Sequence, residues 1–127
     1  MYNLTQRIHA VEGISVNDGV YDTCVQVVKK IKDFLARDGM TKAMLLESLG
    51  NINSGSMNRF LSGKRQDQCG NITYREAYVF FEKLRVLEGK SKSKARLKNE
   101  VQNSGGFSLV KERAGKWIKV LPSIGLY

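Results

Sequence analysis

Residues 41–64, TKAMLLESLGNINSGSMNRFLSGK, constrain the fold more than any other stretch, because caps and apolar residues recur at helical spacing on both sides of a turn. Thr41 can cap a first helix whose apolar side is Leu45, Leu46 and Leu49. Gly50 follows as the left-handed residue that ends a helix and begins a turn. Asn53 or Ser54 then caps a second helix, with Met57, Phe60 and Leu61 as its buried stripe and Gly63 closing it. The outward side of that second helix is left with Ser54, Ser56, Asn58 and Arg59. These are small or polar donors and acceptors, the side-chain types that read base edges or hold phosphates.

Helical periodicity continues on both flanks. Asp22 or Thr23 opens a helix in which Val25, Val28, Ile31 and Leu35 recur, Cys24, Val27 and Phe34 widen the stripe, and Gly39 ends it. Thr73 to Glu76 has the Thr-x-x-Glu form of a capping box. It introduces a helix with Ala77, Tyr78, Phe81 and Leu84 on one face, extended by Phe80 and Leu87 and stopped by Gly89. The pattern therefore predicts a mainly α fold: a compact four-helix domain over residues 21–89, with helices near 22–37, 41–49, 54–62 and 73–88. Val28, Ile31, Leu35, Leu45, Leu49, Met57, Phe60, Phe81 and Leu84 are the expected core. Residues 1–20 show no sustained period and read as a loose N-terminal arm. Residues 90–127 read as a basic linker and C-terminal tail, with a short helix over 95–101. Two β-prone runs, 107–110 and 116–121, suggest a short β-hairpin in that tail, with a single helix across 109–120 as the rival.

Charge sharpens the division. A chain of 127 residues defaults to one domain, and its formal charge is +9. Residues 1–82 carry 10 basic and 9 acidic side chains, whereas residues 83–127 carry 11 and 3. Such asymmetry suggests a polyanion partner, with a solubilising tail as the bland alternative. The basic run Lys90, Lys92, Lys94, Arg96 and Lys98 has three readings: phosphate neutralisation, a nuclear localisation signal, or a solvated linker. Tyr74, Tyr78, Phe80 and Phe81 could form a base-stacking platform, but their helical spacing favours core packing. Trp117 is expected to pin the tail to the body.

Other function classes find little support. No apolar run approaches the roughly 18 residues that span a bilayer, and the N-terminus lacks the form of a secretory signal. Cys24 and Cys69 make no metal-ligand spacing, and a reducing compartment is the simplest reading. His9 has no obvious nucleophile or base beside it, and Asp33, Glu47 and Glu82 read as solvated charges on helix surfaces. Ser62-Gly63-Lys64-Arg65 is too short for a phosphate loop. The expectation is a protein without catalytic activity, cofactor, metal or small-molecule substrate.

Three segments carry a family resemblance: Ile31-Lys32-Asp33-Phe34-Leu35, Asn58-Arg59-Phe60-Leu61, and Tyr74-Arg75-Glu76-Ala77-Tyr78-Val79-Phe80-Phe81. Over roughly residues 22–88 the chain resembles the helix-turn-helix of phage-repressor-type DNA-binding domains, and is similar to a fungal helix-turn-helix family of unassigned function. The resemblance implies that Gly50 is the turn glycine, Ile52 the apolar residue after it, and Met57 and Phe60 the buried positions of the reading helix. Asn53, Ser54, Gly55, Asn58 and Arg59 then fall on DNA-facing positions, and Gly63 closes the helix. Two departures predict a different angle between the helices: Asn51 adds a residue to the turn, and Leu46 stands where the repressor pattern prefers alanine. The expected partner is double-stranded DNA, and a homodimer would supply paired half-sites. Asn58 and Arg59 would contact bases, and Thr41, Lys42, Lys64 and Arg65 phosphates. The expected location is the nucleus, or the cytoplasm of a prokaryote. The alternative is a protein–protein interaction module whose C-terminal tail docks on a partner or a second copy.

Overall fold

The computed structural model describes residues 4–37, 39–63 and 70–109. Six α-helices appear there: α1 Leu4–His9, α2 Cys24–Leu35, α3 Lys42–Ser48, α4 Ser54–Leu61, α5 Ile72–Leu87 and α6 Lys94–Gln102. A 3₁₀ turn, Val16–Asp18, follows α1, and no strand occurs among the described residues. The mainly α class is as the sequence predicts. The expected hairpin falls largely outside the described residues.

Local chemistry sets the helix starts. Thr23 caps α2 in a full capping box, its hydroxyl accepting from Gln26 N at 3.1 Å while Gln26 Oε1 accepts from Thr23 N at 2.6 Å. Thr41 caps α3 by accepting from Met44 N, and Asn53 Oδ1 caps α4 by accepting from Gly55 N at 2.7 Å and Ser56 N at 3.3 Å. Asn53→Ala should therefore cost about 1 kcal/mol in a urea titration, the usual loss for an N-cap. A change below measurement error would show that α4 is held by packing alone.

α5 begins earlier than the capping-box reading of Thr73 suggests. Asn71 is its cap, accepting from Thr73 N at 2.8 Å. Thr73 is fully buried instead, and its hydroxyl has no hydrogen-bond partner among the described residues. The Thr-x-x-Glu pattern is therefore not a capping box here: Asn71 caps the helix two residues earlier and α5 gains about half a turn.

α5 is the spine, and α1, α2 and α4 all pack against it. Phe34 meets Phe80 and Phe81 edge-on at 5.4 and 5.6 Å between ring centres, and Phe60 stacks on Tyr74 at 5.9 Å. Such pairs add to the roughly 1.5–3 kcal/mol that burial of each large apolar side chain contributes. The buried Tyr74 hydroxyl donates to Asp22 O at 2.7 Å, tying the start of α5 to the entry of α2. The expected core residues lie in this cluster, with Val28 and Leu35 at its edge. The α2 stripe is rotated relative to the prediction: Val27 and Phe34 are central, while Val25 is 74% exposed.

Both flanks contribute to the body. Ile8 on α1 and Val20 are buried in the same core, although two or three apolar residues were too few to show a period. At the other end, Phe107 N donates to Val20 O at 2.7 Å. That approach requires glycine at 106, since a Cβ there would lie 2.5 Å from Val20 N.

Candidate nucleic-acid interface

The turn between α3 and α4 uses two left-handed residues, Gly50 at φ 94° and Asn51 at φ 60°. Asn51, the residue in excess of the repressor pattern, is tolerated because asparagine enters this region far more readily than other side chains. The pair turns the chain so that Ile52 comes down into the core, where it is 7% exposed, and Ile52 N donates back to Leu46 O at 3.1 Å. Leu46 itself is half-buried against the core.

α4 then has two distinct sides. Met57 and Phe60 are fully buried. Asn53, Ser54, Asn58 and Arg59 are exposed, and Ser56 is half-buried. Lys42 Nζ on α3 donates to Asn58 Oδ1 on α4, which links the two helices across their outward side. Arg59 Nη2 donates to Ser56 Oγ at 3.1 Å, and Ser56 O accepts from Asn71 Nδ2 at 2.9 Å, so the arginine rests on a residue anchored to the cap of α5. The structure thus brings Lys42, Ser56, Asn58 and Arg59 together on one surface. Thr41 and Asn53 sit at its margin with their oxygens engaged as caps, and Lys64 and Arg65 lie outside the described residues.

Neither Lys42 nor Arg59 forms an ion pair among the described residues. The basic run 90–98 differs. Lys90 pairs with Glu88 at 3.3 Å and Lys92 with Glu100 at 2.8 Å. Arg96 is 8% exposed, with Nη1 2.7 Å from Glu82 Oε1 and Nε donating to Glu100 Oε2 at 2.8 Å. Its guanidinium also lies 5.5 Å from the ring centres of Tyr21 and Tyr78. Only Lys94 and Lys98 of this run remain exposed and outside any ion pair among the described residues.

Glu82 is accordingly no solvated surface charge: it is 4% exposed, and Arg85 Nη2 joins Arg96 on its Oε1 at 3.3 Å. Burial works against the Arg96 charge, but the hydrogen bond and charge of Glu82 outweigh it and hold its pKa above the usual arginine value. Burial, reinforced by Glu82, pushes the Tyr78 hydroxyl up to about 12. Charged residues are seldom buried without a partner; Arg85 is a local one at i+3, but the closer partner, Arg96, lies on another helix and no local pattern announces it.

A cleft of about 330 Å³ between α2, α5 and the chain entering α6 is lined by Lys30, Arg37 and Arg85 among others. Its cations are already matched, Lys30 to Asp22 at 2.7 Å and Arg37 to Glu88 at 3.4 Å. Among the described residues no cluster of three metal-ligating side chains occurs, and no helix is long and apolar enough to cross a membrane.

A family model described as a domain of unknown function (DUF7726) matches residues 19–91, more than half of the chain. No curated protein and no solved structure matches. The matched span holds α2 to α5, and so both helices of the candidate interface, whereas α1 and α6 lie outside it.

Proposed function

Since the chain belongs to the DUF7726 family of domains of unknown function, its role has to be read from its own surface, and we propose that it binds double-stranded DNA through α3 and α4 used as a helix-turn-helix. The observation that carries this reading is the two-sided α4. Met57 and Phe60 anchor it fully, while Asn58 and Arg59 stand exposed beside Lys42 with no carboxylate paired to either cation among the described residues. A helix held from behind with a planar two-donor fork and an amide on its outer side has the chemistry of major-groove readout. Arginine matches guanine, and asparagine matches adenine, through two hydrogen bonds each. Lys42 and Thr41 would meet phosphates on one flank and Lys64 and Arg65 on the other. In this reading the protein is a regulator or architectural factor acting in the nucleus, and a homodimer on paired half-sites would supply the specificity one short helix lacks.

The test is binding to duplex DNA as a function of salt, first for the intact chain and then for Arg59→Ala. Loss of a bidentate base contact should cost about 1–3 kcal/mol on a preferred site and flatten the sequence preference. Arg59→Lys should not rescue it, because an ammonium lacks the fork. DNA affinity that is unmoved by Arg59→Ala would remove this reading.

A further inference from the structure

The polarity of α6 is inverted. The side chains it turns toward the body are polar or charged: Arg96 on Glu82, and Asn99, whose Nδ2 donates to Tyr21 O at 2.7 Å and to Gln26 Oε1 at 3.1 Å. Glu100 is engaged with Lys92 and Arg96. The apolar side chains are on the other side, Leu97 48% exposed and Val101 83% exposed. They lie one turn apart, so they share a stripe, and at 100° per residue Lys94 and Lys98 fall in that same stripe. Val25 on α2, 74% exposed, adjoins the Gln26 that Asn99 holds. An ordinary surface helix packs its apolar stripe inward. Here the buried ion pairs fix the helix the other way round.

We propose that this outward stripe of α6 is a docking surface for an acidic, amphipathic helical segment of a partner protein. The choice of occupant rests on charge. The stripe carries two lysines outside any ion pair among the described residues, and the acid of this helix, Glu100, is spent on Lys92 and Arg96. A second copy presenting the same stripe would set lysine against lysine. Residues 110–127 of the chain itself carry Lys111, Arg113, Lys116 and Lys119 against one acid, Glu112, and so match the stripe in sign rather than complement it. DNA would satisfy the lysines but leave Leu97 and Val101 without an apolar counterpart. A helix with a leucine spine and glutamate flanks satisfies both, its leucines meeting Leu97 and Val101 and its glutamates the two lysines. The proposal does not depend on DNA binding by α4.

The experiment uses the full chain and a fluorescent synthetic helix of roughly 18 residues with leucines at helical spacing and glutamates elsewhere, read by anisotropy. A twin peptide carries lysine for glutamate. The glutamate peptide should bind with a dissociation constant on the order of tens of micromolar, as a few apolar anchors allow. The lysine peptide should not bind. Leu97→Ser with Val101→Ser should weaken the glutamate peptide about tenfold or more while leaving binding to a short DNA duplex unchanged. Lys94→Glu with Lys98→Glu should reverse the preference toward the lysine peptide. Because all four positions are exposed, each variant should keep its melting temperature. No binding of the glutamate peptide, or binding indifferent to the serine pair, overturns the proposal. Loss of DNA binding in the Lys94→Glu, Lys98→Glu pair with the glutamate peptide unbound by the parent chain would instead assign the stripe to nucleic acid, and a dimer that dissociates in the serine pair would assign it to self-association.

Discussion

Arg96→Ala should destabilise the folded chain by about 3 kcal/mol, because it leaves the Glu82 carboxylate buried beside a weaker partner. Glu82 is 4% exposed, and after the substitution only Arg85 Nη2, 3.3 Å away, would face its Oε1. Breaking one side of a buried pair typically costs about 3–5 kcal/mol, and the surviving arginine puts this case at the lower end. The same substitution removes a bond to Glu100 and the guanidinium over the Tyr21 and Tyr78 rings. Arg96→Lys should recover little, since one ammonium cannot serve Glu82 and Glu100 together with a planar fork. A paired change, Glu82→Met with Arg96→Met, should recover part of the loss, because the buried pair is removed together and only Arg85, 24% exposed, is left without its carboxylate. Urea titrations at neutral pH decide it. A loss under about 1 kcal/mol for Arg96→Ala would mean that water reaches Glu82 and that α6 is peripheral.

This cluster also makes stability depend on alkaline pH through Tyr78. The Tyr78 pKa is raised to about 12, first by burial and then by Glu82. The folded state favours the neutral phenol, so its contribution is complete below pH 10, the ordinary tyrosine value, and is lost as pH climbs toward 12. Tyr78→Phe should flatten stability across that window, and at neutral pH it should show only the loss of the hydroxyl's bond to the Tyr21 backbone. A chain ending at Gly89 would forfeit Arg96 altogether. On the sequence alone such a chain is expected to keep its fold, since the apolar core precedes residue 90; it would lose the ion pair from Arg96 to Glu82 together with the helix that carries Arg96.

What the sequence shows and what it hides differ in range. Thr41 was legible as a cap, and Thr23 and Asn53 each as one of two neighbouring candidates, because a cap is a contact between residues two or three apart. Met57 and Phe60 were legible as the inner side of α4 because a 3.6-residue period leaves no other face for them, and the exposure of Asn58 and Arg59 follows from the same period. Contacts between helices were not legible. The bond from Lys42 to Asn58 depends on the angle set by Gly50 and Asn51, and no spacing rule yields that angle. The pairing of Glu82 with Arg96 bridges two helices, so each read locally as an ordinary surface charge. Ile8 shows the opposite failure, a single buried side chain whose helix is too short to display a period.

Phe60→Ala should cost about 3–5 kcal/mol, the range for emptying a fully buried aromatic site. Phe60 is 0% exposed and lies in the core beside Tyr74, whose hydroxyl in turn holds the start of α2 through Asp22 O. The cavity therefore opens between α4 and the spine α5, where neighbouring rings cannot collapse without disturbing that bond. At the lower end of the roughly 5–15 kcal/mol that holds a domain of this kind, the loss leaves a measurable unfolded fraction at room temperature. The informative comparison is with Arg59→Ala, one residue away. If α4 is anchored from one side and reads from the other, Phe60→Ala lowers the melting temperature steeply. Arg59→Ala leaves it unchanged and lowers DNA affinity. Thermal melts and DNA titrations of both variants separate the cases. Should Arg59→Ala lower the melting temperature as well, its bond to Ser56 is structural and α4 loses its claim to be a reading helix. Should Phe60→Ala melt like the parent chain, the packing of α4 on α5 is not what holds that helix in place.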